Sequence, residues 1–99
     1  MANKIVNAKI KYSYLGFNED AELIIEIGFD CDLGFVRTKQ IEFYDTEFVE
    51  KLLNALELQR WEDLPRKYAR VEINDDKSVI AIGNLIKEEW LKVGEQINE

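Results

Sequence analysis

Residues 4–14 alternate, with Val6, Ala8, Ile10, Tyr12 and Tyr14 on one parity and Asn7, Lys9, Lys11 and Ser13 on the other. Successive side chains of a strand point to opposite faces, so a period of two predicts a half-buried strand. Gly16-Phe17-Asn18-Glu19-Asp20 reads as a turn, because Gly and Asn accept conformations that other residues resist. Alternation resumes from Ala21 to Phe29, with Leu23, Ile25, Ile27 and Phe29 inward and Glu22, Glu26 and Asp30 outward. Ile24 breaks this pattern and is expected to be covered by another part of the chain. Asp30-Cys31-Asp32-Leu33-Gly34 is a second turn, and Phe35 to Phe43 a third strand with Phe35, Ile41 and Phe43 on one face. Consecutive strands joined by short turns predict an antiparallel meander.

The period then lengthens. Phe48, Val49, Leu52, Leu53 and Leu56 recur at helical spacing, opposite Glu47, Glu50, Lys51, Asn54 and Glu57. This predicts a helix over residues 46–58, capped by Asp45 or Thr46, with Glu47 and Glu50 at the positive end of its dipole. Pro65 disfavours helix at Leu64 and ends the region. Tyr68 to Ile73 alternates as a fourth strand, with Ala69, Val71 and Ile73 inward. Asn74-Asp75-Asp76-Lys77 is a hairpin turn. Ser78 to Ile86 is a fifth strand, apolar on both faces, and Trp90 is expected to pack back onto the domain. The tail from Gly94 to Glu99 is expected to fray. The expectation is one α+β domain over residues 1–99. It has a mainly antiparallel five-stranded sheet, one principal helix and the order β-β-β-α-β-β.

Composition agrees with a folded chain, since 46% of residues are apolar and 33% charged. Apolar runs are short, so no membrane span is expected, and the start of the chain lacks an apolar leader. Cys31 is the only cysteine, which excludes an internal disulfide and points to a reducing, cytoplasmic setting. The net charge of −7 makes direct nucleic-acid binding an unfavoured reading. Charge is unevenly placed. Residues 1–14 carry Lys4, Lys9 and Lys11 and no acid, whereas residues 19–32 carry Glu19, Asp20, Glu22, Glu26, Asp30 and Asp32 and no base.

The chain has no histidine, which removes the commonest general base and the usual catalytic triads. Neither a Walker A loop nor a dinucleotide fingerprint occurs. Asp30 and Asp32 flank the second turn, but a calcium loop supplies about six or more oxygens at set spacing. A charged turn is therefore the simpler reading, and no metal or cofactor is expected. Cys31 lies between two carboxylates, which disfavour a thiolate. The paired acids Glu19/Asp20, Glu62/Asp63, Asp75/Asp76 and Glu88/Glu89 read as solvated turn charges.

Two surfaces remain as candidates. The acids Glu22, Glu26, Asp30 and Asp32 read either as a solvated outer face or as a negative stripe that imitates a phosphate backbone. Trp61, Arg66, Lys67, Tyr68 and Arg70 interleave bases with aromatics, a pattern that binds single-stranded nucleic acid or an anion. The simpler reading of this set is an anchor between helix and strand. Aromatics concentrate on the first three strands, and any left exposed would mark a partner surface.

One stretch carries a resemblance. Trp61-Glu62-Asp63-Leu64-Pro65-Arg66-Lys67-Tyr68, with Arg70-Val71, Ala81-Ile82-Gly83-Asn84 and Trp90, resembles a family of small bacteriophage and prophage proteins. Members carry a Trp-Glu-Asp-Leu-x-Gly-Lys-Tyr block after a short helix, and an Ile-Gly-Asn/His strand near the C-terminus. Their N-terminal strand is similar to Ile5-Val6-Asn7-Ala8-Lys9-Ile10. Arg66 stands where members have glycine, and their glycine-rich stretch is reduced here to Gly28 and Gly34. The resemblance implies a phage accessory protein that binds and blocks a host factor, in the manner of an anti-CRISPR inhibitor. It carries over no catalytic residue. The expected partner is a host protein or ribonucleoprotein effector, and a homodimer is left open. The alternative is a nucleic-acid or nucleotide binder acting through the Trp61–Arg70 set.

Overall fold

The computed structural model describes residues 3–44 and 46–93. Its elements are β1 (Lys4–Phe17), β2 (Leu23–Cys31), β3 (Gly34–Thr38), β4 (Ile41–Glu42), α1 (Glu47–Ala55), β5 (Tyr68–Ile73), β6 (Ser78–Gly83) and β7 (Trp90–Lys92), with a 3-10 turn at Trp61–Asp63.

Strand β1 is long enough to serve two neighbours. Residues 4–9 pair antiparallel with β5, and residues 8–17 pair antiparallel with β2. The register shifts between Ile10 and Tyr12, so Lys11 is an extra residue. Such a bulge bends a strand and sharpens its twist. Here the bend lets β1 leave β5 and follow β2. At the departure point Ile10 still holds the β5 side, since its N–H donates to the Lys67 carbonyl at 2.9 Å and its carbonyl accepts from Arg66 at 2.7 Å.

The remaining pairings close a ring. β2 pairs antiparallel with β3, β3 parallel with β6, and β6 antiparallel with β5. The cycle is β1-β5-β6-β3-β2 and back to β1, with β4 extending beside β2 and β7 beside β6. Its apolar interior holds Ile10, Ile25, Ile27, Phe29, Val36, Val71 and Ile82, each at most 2% exposed. Helix α1 packs on this interior through Leu52, joined by Leu56 at its C-terminal cap, both buried, while Phe48, Val49 and Leu53 are half-buried. Burying a leucine this completely contributes about 1.5–3 kcal/mol. The connectivity, with one parallel contact and the helix between the third and fourth strands of the ring, matches the five-stranded Greek-key OB barrel.

The fold is α+β with a mainly antiparallel sheet, as the patterning predicts, but strands dominate. Among the described residues the sheet has seven strands rather than five. The expected third strand, Phe35 to Phe43, breaks at Lys39-Gln40 into β3 and β4, because β3 turns away from β2 to join β6. That break resets the alternation. Ile41 faces the core, whereas Phe35 faces out and is 46% exposed. The fifth strand stops at Gly83 rather than Ile86, and the chain returns as β7.

The expected helix over 46–58 is shorter, since it ends at Ala55. Glu57 takes a left-handed φ of 60° and the Leu58 N–H closes on the Leu53 carbonyl at 2.8 Å. This is a Schellman-type stop, usually made by glycine. Thr46 makes no side-chain cap, because its hydroxyl donates to the Glu50 carboxylate at 3.1 Å instead. Asp45 and the Gly94–Glu99 tail lie outside the described residues.

Candidate binding face

The bulge at Lys11 decides which side chains meet the solvent. Before it, Ala8 and Ile10 point inward. After it, parity reverses: Ser13 and Leu15 lie opposite the inward Ile27 and Ile25, and Tyr12 and Tyr14 lie opposite Gly28 and Glu26. Both tyrosines, expected to share a face with Val6, Ala8 and Ile10, therefore stand on the outside of the barrel. Gly28 makes room for them. A Cβ there would lie 2.4 Å from the Tyr12 ring and 2.9 Å from Phe35. Tyr12 and Phe35 stack over this glycine with centroids 6.1 Å apart.

Charges frame the pair. The Tyr12 hydroxyl donates to the Glu26 carboxylate, and Arg37 lies 3.7 Å from the same carboxylate. Burial, then the adjoining Glu26, holds the Tyr12 phenol above its usual range. The Lys11 ammonium sits 5.5 Å from the Phe35 centroid, and Lys9 sits 5.7 Å from that of Tyr68.

Beyond Tyr12 the face opens into a groove of about 760 Å³. Tyr12, Tyr14 and Phe17 wall it and Ile24 lines it. Ile24 is the residue that broke the alternation, and it is buried on this outer side. The rim is a turn built by Asn18, whose Oδ1 accepts the backbone N–H groups of Asp20 and Glu22 at 2.9 and 3.0 Å. Its Nδ2 donates to Glu22 and to Gln40, at 3.0 and 3.1 Å. Glu19 and Asp20 stand on that rim.

The acids expected to form one stripe are dispersed. Glu22 is held in the turn, Glu26 is half-buried between Tyr12 and Arg37, and Asp30 and Asp32 are exposed at the other end of β2. Asp30 faces Lys9 on β1 and Phe35 on β3. The aromatic pair over Gly28 separates Glu26 from Asp30. At the turn itself, Gly34 takes a φ of 101°, which favours glycine, and the Cys31 thiol lies 3.4 Å from its carbonyl.

The second sequence set separates as well. Trp61 packs on the core beside the buried Leu64. Arg66 takes a left-handed φ of 76°, and it and Lys67 bind β1 through their backbones. Tyr68 is exposed beside Lys9. Arg70 clamps the loop between β6 and β7. It donates to the carbonyls of Asn84 and Lys87 at 2.8 and 2.9 Å and to Glu88 at 3.0 Å, and it stacks 4.9 Å from the Trp90 centroid. Arg70 and the Trp90 N–H hold the Glu88 carboxyl below its usual range. Asn84, nearly buried, donates to the Ala55 carbonyl at the helix end and accepts from Ile86 and Lys87, each at 2.9 Å.

Tyr12, Tyr14, Phe17, Phe35 and Arg37 were not among the candidate site residues read from the sequence. The four aromatics belong to the set on the first three strands whose exposure is expected to mark a partner surface, and Gly28 inside an otherwise apolar strand is a further signal, since such a glycine marks a close approach. Among the described residues no cluster of three or more acidic or cysteine side chains is arranged to hold a metal, and no helix is long and apolar enough to cross a membrane. No known family model, curated protein or solved structure matches the chain.

Proposed function

We propose that this chain acts by binding rather than catalysis, and that its contact surface is the outer face of β1, β2 and β3. The observation that carries the reading is the run of uncovered aromatics there: Phe17 is 65% exposed, Phe35 46% and Tyr14 44%. Exposed apolar patches of this kind mark interaction surfaces, and aromatic anchors dominate them. The resemblance to phage accessory proteins supplies the setting, a counter-defence inhibitor that occupies a host protein or ribonucleoprotein effector. The acidic charge suits an effector with a basic nucleic-acid channel. The test is co-purification with a tagged RNA-guided nuclease complex. Binding should weaken with salt and fall when Tyr12 and Phe35 are both replaced by Ala. Charge reversal at Glu22, Glu26 and Asp30 asks separately whether the acids contribute. A folded triple variant that binds undiminished would remove them from the contact.

A second reading is favoured by Lys9, Lys11 and Arg37, which stand beside Tyr68, Phe35 and Tyr12 on this face. Barrels of this connectivity bind oligonucleotides on the corresponding strands, although a fold alone does not carry a function. This moves the nucleic-acid alternative from Trp61–Arg70 to the open face. A labelled oligothymidylate shifted at low salt, and released by Phe35→Ala, would support it.

A further inference from the structure

We propose that the groove beside Tyr14 and Phe17 receives the guanidinium or ammonium group of a basic segment on a partner protein. The proposal rests on the binding reading above and names the chemistry of one part of that surface. The groove is lined by Tyr12, Tyr14 and Phe17, its rim carries Glu19 and Asp20, Glu26 beside it is already engaged by Tyr12 and Arg37, and among the described residues no lysine or arginine lines it. Aromatic faces with carboxylates nearby attract a cation through both the ring quadrupole and the charge. They repel a phosphate or a carboxylate.

The chain already uses this chemistry on other rings. Lys9, Lys11 and Arg70 cover Tyr68, Phe35 and Trp90. Among the described residues no cation covers Tyr14 or Phe17, and neither Glu19 nor Asp20 has an ion-pair partner. The net charge of −7 draws a basic segment toward the surface. The hydrogen bonds of Asn18 hold the rim in place before a ligand arrives, which lowers the ordering cost of binding.

Fluorescence anisotropy with a labelled nona-arginine peptide tests this, with an oligoglutamate peptide and oligothymidylate as comparisons. The peptide should bind, and Tyr14→Ala with Phe17→Ala should weaken it about tenfold without altering the protein's charge. Glu19→Gln with Asp20→Asn should weaken it further and flatten its salt dependence. Ile86→Ala, at a side chain 84% exposed on the β6–β7 loop and outside the groove, should leave it unchanged. Phe17→Ala alone, at a side chain 65% exposed, keeps the test valid if the double variant fails to fold. Equal peptide affinity in wild type and folded wall variants would overturn the proposal, because overall charge alone would then account for binding. Loss of oligothymidylate rather than peptide binding in those variants would overturn it as well. Continued capture of the nuclease complex in either case would leave the wider binding reading standing.

Discussion

Arg70 and Lys11 each lie over an aromatic ring, at 4.9 Å from Trp90 and 5.5 Å from Phe35. Their surroundings differ. The Arg70 guanidinium donates to two backbone carbonyls and a carboxylate, and its side chain is only 20% exposed. Lys11 is an exposed bulge residue on the open face. One arrangement closes the β6–β7 loop onto the barrel, and the other leaves Lys11 exposed to solvent on the open face. Interleaved aromatics and bases therefore have no single meaning in a sequence. What separates a clamp from a contact surface is whether backbone carbonyls already take the donors.

The sharpest way to break this contrast is at Asn84. Asn84→Ala leaves the Ala55 carbonyl at the helix end without its side-chain donor and strips the acceptor from two N–H groups. Denaturant unfolding should show a loss of about 1–3 kcal/mol. A loss under half a kcal/mol by that measure would show that water replaces these bonds and that the clamp is weak.

Gly83→Ala tests the same clamp from its other side. A Cβ there would lie 2.6 Å from the Trp90 ring, so the tryptophan must move off its strand partner. The expected cost is about 1–3 kcal/mol. Near-ultraviolet circular dichroism should show the change in tryptophan environment.

Arg66→Gly should act in the opposite direction. Arg66 holds a φ of 76°, a conformation that strains any residue with a Cβ. Glycine removes that strain. The urea midpoint should rise by an amount equivalent to at most about 1 kcal/mol, since the unfolded chain also gains freedom. Ala21→Gly, at φ 62°, should behave alike.

On the open face, Phe17→Ala should change stability by less than about 0.5 kcal/mol, as expected of an uncovered side chain. Together with a loss of peptide binding, this would mark the face as a contact surface. A large destabilisation would place Phe17 among the structural residues.

The smallest effect is electrostatic. The Glu88 carboxyl is held below its ordinary value of 4.5 by Arg70 and then Trp90, so the folded state binds fewer protons there than the unfolded chain. Its contribution is present above that value and is lost as pH falls through the lower folded one. Thermal melts of Glu88→Gln and wild type should differ slightly near neutrality and converge in acid. The gap should shrink with salt because the pair is exposed.

The local pattern by itself determined the strands starting at Lys4, Tyr68 and Ser78, the second strand to within two residues of its start at Leu23, the helix to within one residue of its start at Glu47, and the inward sets Ile25-Ile27-Phe29 and Ala69-Val71-Ile73. These depend on period and propensity, which act over a few residues. Leu64, Val71, Ile82 and Gly83 are buried and Trp61 packs on the core, as the apolar pattern of that stretch predicts. The open face was not legible. Its membership turns on one extra residue at Lys11 and on the break at Lys39-Gln40, each of which shifts parity by one and sends Tyr12, Tyr14 and Phe35 outward. Neither irregularity has a local cause in the sequence. Both arise because β1 must pair with β5 and β2, and β3 with β2 and β6, and only ring closure imposes those double pairings.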